Sequence, residues 1–262
     1  MRNKITLKSI INDKVSGSSE ILDKLNDYIS QNSGNIPKLI NNLSVIKEGL
    51  SGFAAVNNYI GQIEPLIKEG DTKKLKSFLL KFKPNKTEAY NNIYKNAKSL
   101  LSKFNTILTL SNSKTLLEVF KSWSAENKKL KIIVCESRPK NEGVIFAKAL
   151  AKENIEVKLI TDASMSNYIA KSDAVIVGAD IILKNGNVVN KTGSRNAAII
   201  CRHFKKPFMV LATKDKFVNK RFYKSKLEYP REILSNRHKN IVVDNYYFEE
   251  IEKSLVTKII TD

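Results

Sequence analysis

Apolar residues recur at helical spacing through the first half of the chain. Ile21, Leu25 and Tyr28 mark one stripe, and Leu39, Leu43 and Ile46 a second. Phe53, Val56 and Ile60 mark a third, and Leu75, Phe78, Leu79 and Phe82 a fourth. Residues three and four apart share a helix face, so each stripe predicts an amphipathic helix in a bundle. Breaks are expected at Ser33-Gly34, Gly61, Gly70-Asp71 and Lys83-Pro84-Asn85, and Pro65 starts or kinks a helix. Residues 15–20, with Ser16 and Gly17 at their head, read as a helix start with polar capping groups.

Beyond residue 103 the apolar positions gather into short continuous runs. Residues 106–110 read as a strand, Ser111-Asn112-Ser113 as a turn, and residues 115–120 as a helix. A strand that enters a helix through small polar residues presents hydroxyls and amides to a ligand, or simply caps the helix. Further strands are expected at 131–135, 155–160, 174–177, 206–212 and 241–243, with helices at 142–152, 165–171 and 195–204. Strands alternating with helices imply an α/β fold built on a parallel sheet with right-handed crossovers. Ligands of such sheets bind outside the carboxyl ends of the strands, where Arg138, Asp162, Asp180, Thr213 and Asp244 fall.

Residues 173–194 concentrate the candidate chemistry. The apolar run 174–177 stops at Gly178, and Asp180 follows just past the strand end. Asn185-Gly186 between two short apolar runs signals a hairpin in which both turn residues take positive φ. The hairpin returns Asn190, Lys191 and Thr192 to the side of Asp180, and Gly193-Ser194 opens a helix whose N-terminus attracts anions. A carboxylate, an amide, an ammonium and a helix start at one strand end suit a polyhydroxylated, phosphorylated ligand. The same residues also fit a turn with surface polar groups.

Composition narrows the class. The 262 residues suffice for one or two domains, and 42% hydrophobic content excludes a disordered chain. No apolar run approaches the roughly 20 residues that cross a bilayer, and residues 1–8 lack the apolar core of a signal peptide. Cys135 and Cys201 each sit inside an apolar run, away from metal-like spacing, which reads as a cytoplasmic protein with reduced thiols and no metal. Neither a Gly-x-Gly-x-x-Gly nor a Walker pattern is present, so a dinucleotide or a P-loop nucleotide is disfavoured and no cofactor is expected. The net charge of +19 favours anionic partners or reflects a lysine-rich composition. Residues 214–226 carry six basic residues against one acid, with Phe217, Phe222 and Tyr223 interleaved. Such a segment binds RNA through phosphate contacts and stacking, or is a solvated loop with its aromatics turned inward.

Several short motifs recur together in one superfamily. They are residues 135–143 (Cys-Glu-Ser-Arg-Pro-Lys-Asn-Glu-Gly), residues 177–180 (Val-Gly-Ala-Asp), Asn185-Gly186, residues 190–194 (Asn-Lys-Thr-Gly-Ser), Pro207-Phe208, Lys216-Phe217 and Val243-Asp244. In this order and spacing the chain resembles the α/β/δ regulatory subunits of translation initiation factor 2B and their archaeal relatives. The superfamily also holds isomerases of ribose-1,5-bisphosphate and methylthioribose-1-phosphate. The resemblance covers residues 103–262 and is faint before them. It implies a helical domain over residues 1–125, a Rossmann-like α/β domain over residues 126–262 with helices on both faces of the sheet, and assembly through the latter.

The resemblance also assigns roles. In the isomerases a cysteine and an aspartate move the proton or hydride between the first two sugar carbons, and the aspartate matches Asp180. The ligand-holding Asn-Lys pair matches Asn190 and Lys191, and the arginine of the Glu-Ser/Thr-Arg motif matches Arg138. The cysteine position is Ser111, and the phosphate-binding Arg-Gly-Ala appears as Ser16-Gly17-Ser18, without its arginine. A free thiol has a pKa of about 8.5, whereas a serine hydroxyl needs an activating base. Losing the arginine removes a bidentate phosphate contact. Cys135 lies mid-strand and reads as core, not as a replacement thiol.

Two readings follow. One is a non-catalytic relative of the regulatory subunits, a homo-oligomer (a dimer or higher) that engages a subunit of initiation factor 2. It binds a sugar phosphate or nucleotide through Ser16, Gly17, Arg138, Asn190 and Lys191, away from any membrane. The other is an aldose–ketose isomerase of a 1-phosphorylated sugar such as ribose-1,5-bisphosphate, with Asp180 and Ser111 at its centre.

Overall fold

The structure, a computed structural model, describes residues 5–13, 16–236 and 238–262. Val15, at the head of the expected helix start, and residues 1–4 of the N-terminal stretch lie outside them. The first half is helical: α1 (Leu7–Ile11), α2 (Ser18–Gln31), α3 (Ile36–Gly49), α4 (Ala54–Lys68) and α5 (Thr72–Leu101). Each predicted stripe is the buried face of one helix, and Ile21, Leu25, Leu39, Ile46, Ile60 and Leu75 share one core. The turn at Gly70-Asp71 forms as expected, because Gly70 takes φ +71° and the Asp71 carboxylate caps α5 at the Lys74 amide.

Two expected breaks do not occur. Gly61 lies inside α4, and Pro84 inside α5. A glycine costs a helix only about 1 kcal/mol and a proline about 3 kcal/mol. Packing outweighs both, since buried residues flank each breaker: Ile60 and Ile63 in α4, Leu79 and Tyr90 in α5. Pro65 also sits inside α4.

The second half follows as β1 (Thr106–Thr109), α6 (Lys114–Glu126), β2 (Lys131–Cys135), α7 (Glu142–Lys152), β3 (Glu156–Ile160), α8 (Met165–Ile169), β4 (Ala174–Val177), β5 (Ile181–Ile182), β6 (Val188–Lys191), α9 (Ser194–His203), β7 (Phe208–Leu211), β8 (Phe248–Ile251) and β9 (Lys258–Ile260). Six strands form a parallel sheet in the order β3-β2-β1-β4-β7-β9. Alternate residues of each strand face opposite sides. Ile107, Ile132 and Ile176 therefore pack under α5, α6 and α7, while Leu108, Ile133 and Val175 pack under α8 and α9. This is the expected Rossmann-like layering.

The stretch expected as a helical domain, residues 1–125, also holds β1, which pairs with both β2 and β4 at the centre of the sheet. That membership is a long-range pairing, which local periodicity does not carry. The strand expected at 241–243 is absent. Ile241 and Val242 are 50% and 91% exposed in irregular chain, so the apolar run there is surface, and the last sheet strand is β9. The hairpin forms between β5 and β6, but around a three-residue loop. Only Gly186 takes positive φ, at +85°, while Asn185 does not, which fits a type I turn closed by one left-handed residue.

Candidate functional site

The strand order reverses between β1 and β4, and a crevice forms where chains leaving the two strands part in opposite directions. A cavity of about 420 Å³ occupies it. Its wall takes Ser111 from the end of β1, Asp180 from the end of β4, Asn190 and Lys191 from the hairpin, and Ser16 and Gly17 from the start of α2. Two glycines allow this convergence. A Cβ on Gly17 would lie 2.7 Å from the Asn112 carbonyl oxygen, and one on Gly178 would lie 2.7 Å from Ser113 Oγ. Only bare backbone lets the three loops meet.

Ser111 sits at φ 69°, a left-handed conformation unusual for serine. Its amide donates to Ser137 Oγ at 2.7 Å, and that hydroxyl donates to the Cys135 carbonyl. The hydroxyl of Ser111 is thereby held at the cavity wall by its own backbone. Cys135 is fully buried in the sheet, and burial first, then Asp162 and Glu136, push its thiol up to about 12. It is core, as its mid-strand position predicts.

Two buried lysines form the inner charge. Lys191 Nζ donates to Glu142 Oε1 at 2.8 Å and lies 5.0 Å from the Tyr247 ring centroid. Glu142 Oε2 has no hydrogen-bond partner among the described residues. Burial raises the Glu142 carboxyl above its ordinary range, against the pull of Lys191. Lys216 is 2% exposed, and its Nζ donates to Ser18 Oγ at 2.6 Å. Burial likewise raises the Asp180 carboxyl, opposed by the Lys216 ammonium, a hydrogen bond from Ser18, and Lys191. Lys216, Ser18 and Glu142 were missing from the expected site. Lys216 and Glu142 stand inside motifs shared with the superfamily, which is the signal that points to them.

Several expected placements fail. Arg138 is exposed and does not line the cavity. Asp162 turns to its own sheet edge, where its carboxylate accepts from the Ser137 and Arg138 amides at 2.8 and 2.7 Å. Asp244 is exposed and follows no strand. Thr192 donates to the Tyr246 carbonyl instead of joining Asp180. The start of α9 is closed, because Glu249 Oε1 accepts from the Gly193 and Arg195 amides at 2.7 and 2.9 Å. The start of α2 is different: Gly17 is its N-cap and no side chain caps it. Ser16 is tied locally, its amide donating to Asp13 and its hydroxyl accepting from Lys24.

The basic segment after β7 also reaches this site. Its first lysine turn is buried at Lys216, while Lys220, Lys224 and Lys226 rim the cavity mouth. Its aromatics are not turned inward as a group: Phe222 is 82% exposed and lines the mouth. Among the described residues no cluster of His, Cys, Asp and Glu is grouped to hold a metal ion, and no helix is long and apolar enough to cross a membrane.

The chain is 33% identical over 181 residues to a ribose 1,5-bisphosphate isomerase of Methanocaldococcus jannaschii, covering 67% of this chain and 59% of that protein. It is 42% identical over 112 residues to translation initiation factor eIF2B subunit alpha of Dictyostelium discoideum, covering 43% of this chain and 35% of that protein. The matched segments thus span less than two thirds of either relative. The crystal structure of a Pyrococcus horikoshii OT3 translation initiation factor eIF-2B superposes with a TM-score of 0.81 at 26% identity, over 97% of this chain and 92% of the other. The fold is shared with 5-methylthioribose 1-phosphate isomerase of the same organism, at a TM-score of 0.79 and 20% identity, over 97% of this chain and 81% of the other. The sequence pattern of the initiation factor 2 subunit family matches residues 8–262, and the chain belongs to that family.

Proposed function

We propose that the protein is a non-catalytic, initiation-factor-2B-like subunit whose sheet-edge cavity binds a phosphorylated, hydroxyl-rich small molecule. The observation that carries this reading is the Lys216–Ser18–Asp180 cluster beside the uncapped start of α2. Free amides at a helix start and a buried ammonium favour a phosphate, and carboxylates favour sugar hydroxyls. Ser111 argues for binding without chemistry. No histidine lines the cavity to activate its hydroxyl, and the buried Cys135 thiol does not substitute. In this reading the chain assembles with copies of itself and engages a subunit of initiation factor 2. Exposed Leu227, Tyr229, Ile233 and Val242 offer apolar surface for such contacts. Calorimetric titration with ribose 5-phosphate tests the cavity. One saturable site, weakened in Lys216→Met, is expected; absence of heat with any pentose phosphate or nucleoside monophosphate removes the reading.

One observation favours a second reading, an isomerase of a 1-phosphorylated aldose. The Asp180 carboxyl, raised by burial, retains a proton more readily than an ordinary aspartate and faces the same cavity, as a shuttle between two sugar carbons requires. Product formation followed by NMR, abolished in Asp180→Asn, would establish it.

A further inference from the structure

The basic segment after β7 lies along the tip of the β5–β6 hairpin. The Lys184 amide donates to the Lys220 carbonyl at 2.9 Å, and Asn185 Nδ2 donates to the Arg221 carbonyl at 3.3 Å. The Tyr223 amide reaches Glu250 of β8 at 3.4 Å, and that carboxylate also accepts from Asn187 Nδ2 at 2.6 Å. Lys253 closes the other side of the tip. Its amide donates to Asn187 Oδ1 at 2.9 Å, and a Cβ on Gly186 would lie 2.8 Å from Lys253 Cδ. Three separate stretches of chain therefore gather Lys184, Lys220, Arg221, Lys224, Lys226 and Lys253 around one hairpin tip, and all of them are exposed.

This charge is not balanced from within. None of these residues enters an ion pair among the described residues. Glu250 is taken up by its two amide donors, and Glu252 pairs with Arg195. Glu228 is the one acid in residues 220–228. Phe222 stands in the same array with 82% of its surface exposed. The kind of partner follows from a bare ring face set among cations. A free phosphate or an acidic protein surface satisfies the cations and leaves the ring wet. A double helix keeps its base faces stacked inside. A single strand offers both groups at once, a phosphate at each nucleotide and unpaired base faces between them.

We infer that the hairpin tip and residues 220–226 form a docking surface for single-stranded nucleic acid, with the cations on its phosphates and a base stacked on Phe222. The surface begins at the rim of the cavity, where Lys220, Phe222, Lys224 and Lys226 stand. It runs away from the rim over Lys184, Arg221 and Lys253, none of which lines the cavity. A strand bound there is a ligand separate from the occupant of the cavity, and it does not depend on the sugar-phosphate reading. RNA and DNA single strands share the groups that this surface uses.

The test is fluorescence anisotropy of the full chain with a labelled oligouridylate of about twelve nucleotides, and with its oligothymidylate counterpart, over a series of salt concentrations. Engagement of every cation named predicts a slope of about −4 for log affinity against log salt, from roughly −0.7 per phosphate on a single strand. Lys184→Gln combined with Lys253→Gln, the pair remote from the cavity, is expected to flatten that slope by about 1.4. Phe222→Ala is expected to weaken binding about tenfold and to leave the slope unchanged, whereas Phe222→Trp retains the affinity. These side chains are exposed, so the variants fold, which an unchanged melting temperature verifies. Excess ribose 5-phosphate is expected to leave the oligonucleotide bound, and the tighter of the two oligonucleotides tells which backbone the surface takes. Affinity indifferent to salt or to Phe222→Ala, displacement by ribose 5-phosphate, or equal affinity for a duplex of the same length overturns the inference. Binding to vesicles of anionic phospholipid with no binding of either oligonucleotide also overturns it, in favour of a membrane surface.

Discussion

Two helix starts, those of α2 and α9, have opposite fates. At α9 the Gly193 and Arg195 amides already hold the Glu249 carboxylate. At α2 no side chain closes the end, and Gly17 brings it against the Asn112 backbone at the cavity. The sequence around Gly193-Ser194 reads as an anion-attracting helix start, yet the fold has filled it from within. A helix start is a binding site only if no chain segment supplies its anion first. β8, which carries Glu249, pairs with β6 and so delivers that carboxylate to the start of α9.

The comparison can be broken by substitution. Lys191, which precedes the closed start, carries the largest expected effect. Lys191→Met leaves Glu142 buried without its counter-ion, at a cost of about 3–5 kcal/mol in chemical denaturation. The double variant Lys191→Met with Glu142→Leu is expected to recover most of that loss, because removing both partners of a buried pair is close to neutral. Gly17→Ala forces the open start away from Asn112 and is expected to lose about 1–3 kcal/mol, together with ribose 5-phosphate binding in calorimetry. Glu249→Ala is expected to cost about 0.5–2 kcal/mol as a lost cap. It also opens the α9 start, so sulfate raises the melting temperature of this variant more than that of the natural chain.

The smallest effect is a pH dependence. The folded-state carboxyl of Asp180 is raised above its unfolded value, chiefly by burial. Folding therefore takes up a proton, and the carboxylate penalty is absent below the unfolded pKa and grows as pH rises toward the folded one. Asp180→Asn removes the penalty. The variant is expected to gain stability relative to the natural chain at pH 7 and to lose that advantage near pH 4, read from denaturation midpoints at each pH. A constant difference across this range would show that Asp180 does not titrate above its unfolded value.

Local pattern carried five of the six strands of the parallel sheet, all but β9. The runs at 131–135 and 174–177 are β2 and β4, and the helix expected at 142–152 is α7. The hairpin followed from Asn185-Gly186, although the loop is a residue longer than the dipeptide implies. The meeting of Ser111 and Asp180 was legible through the resemblance and not through spacing, because sheet order is set by pairing between distant strands. The Lys216–Ser18 bond spans 198 positions, and the Glu249 contacts reach back more than 50, so neither has a local signature. Ile241-Val242-Val243 misled in the opposite direction, since a β-branched run on an exposed loop has the composition of a strand without a partner.

The claim at the centre of this account is that the crevice between β1 and β4 holds a phosphorylated sugar unit without transforming it. NMR of ribose 1,5-bisphosphate incubated with the purified protein reads both parts at once. The account predicts ligand resonances broadened by binding, relieved in Lys216→Met, with no ribulose product after prolonged incubation. A ribulose product whose formation stops in Asp180→Asn, or ligand resonances untouched by the protein, would contradict it.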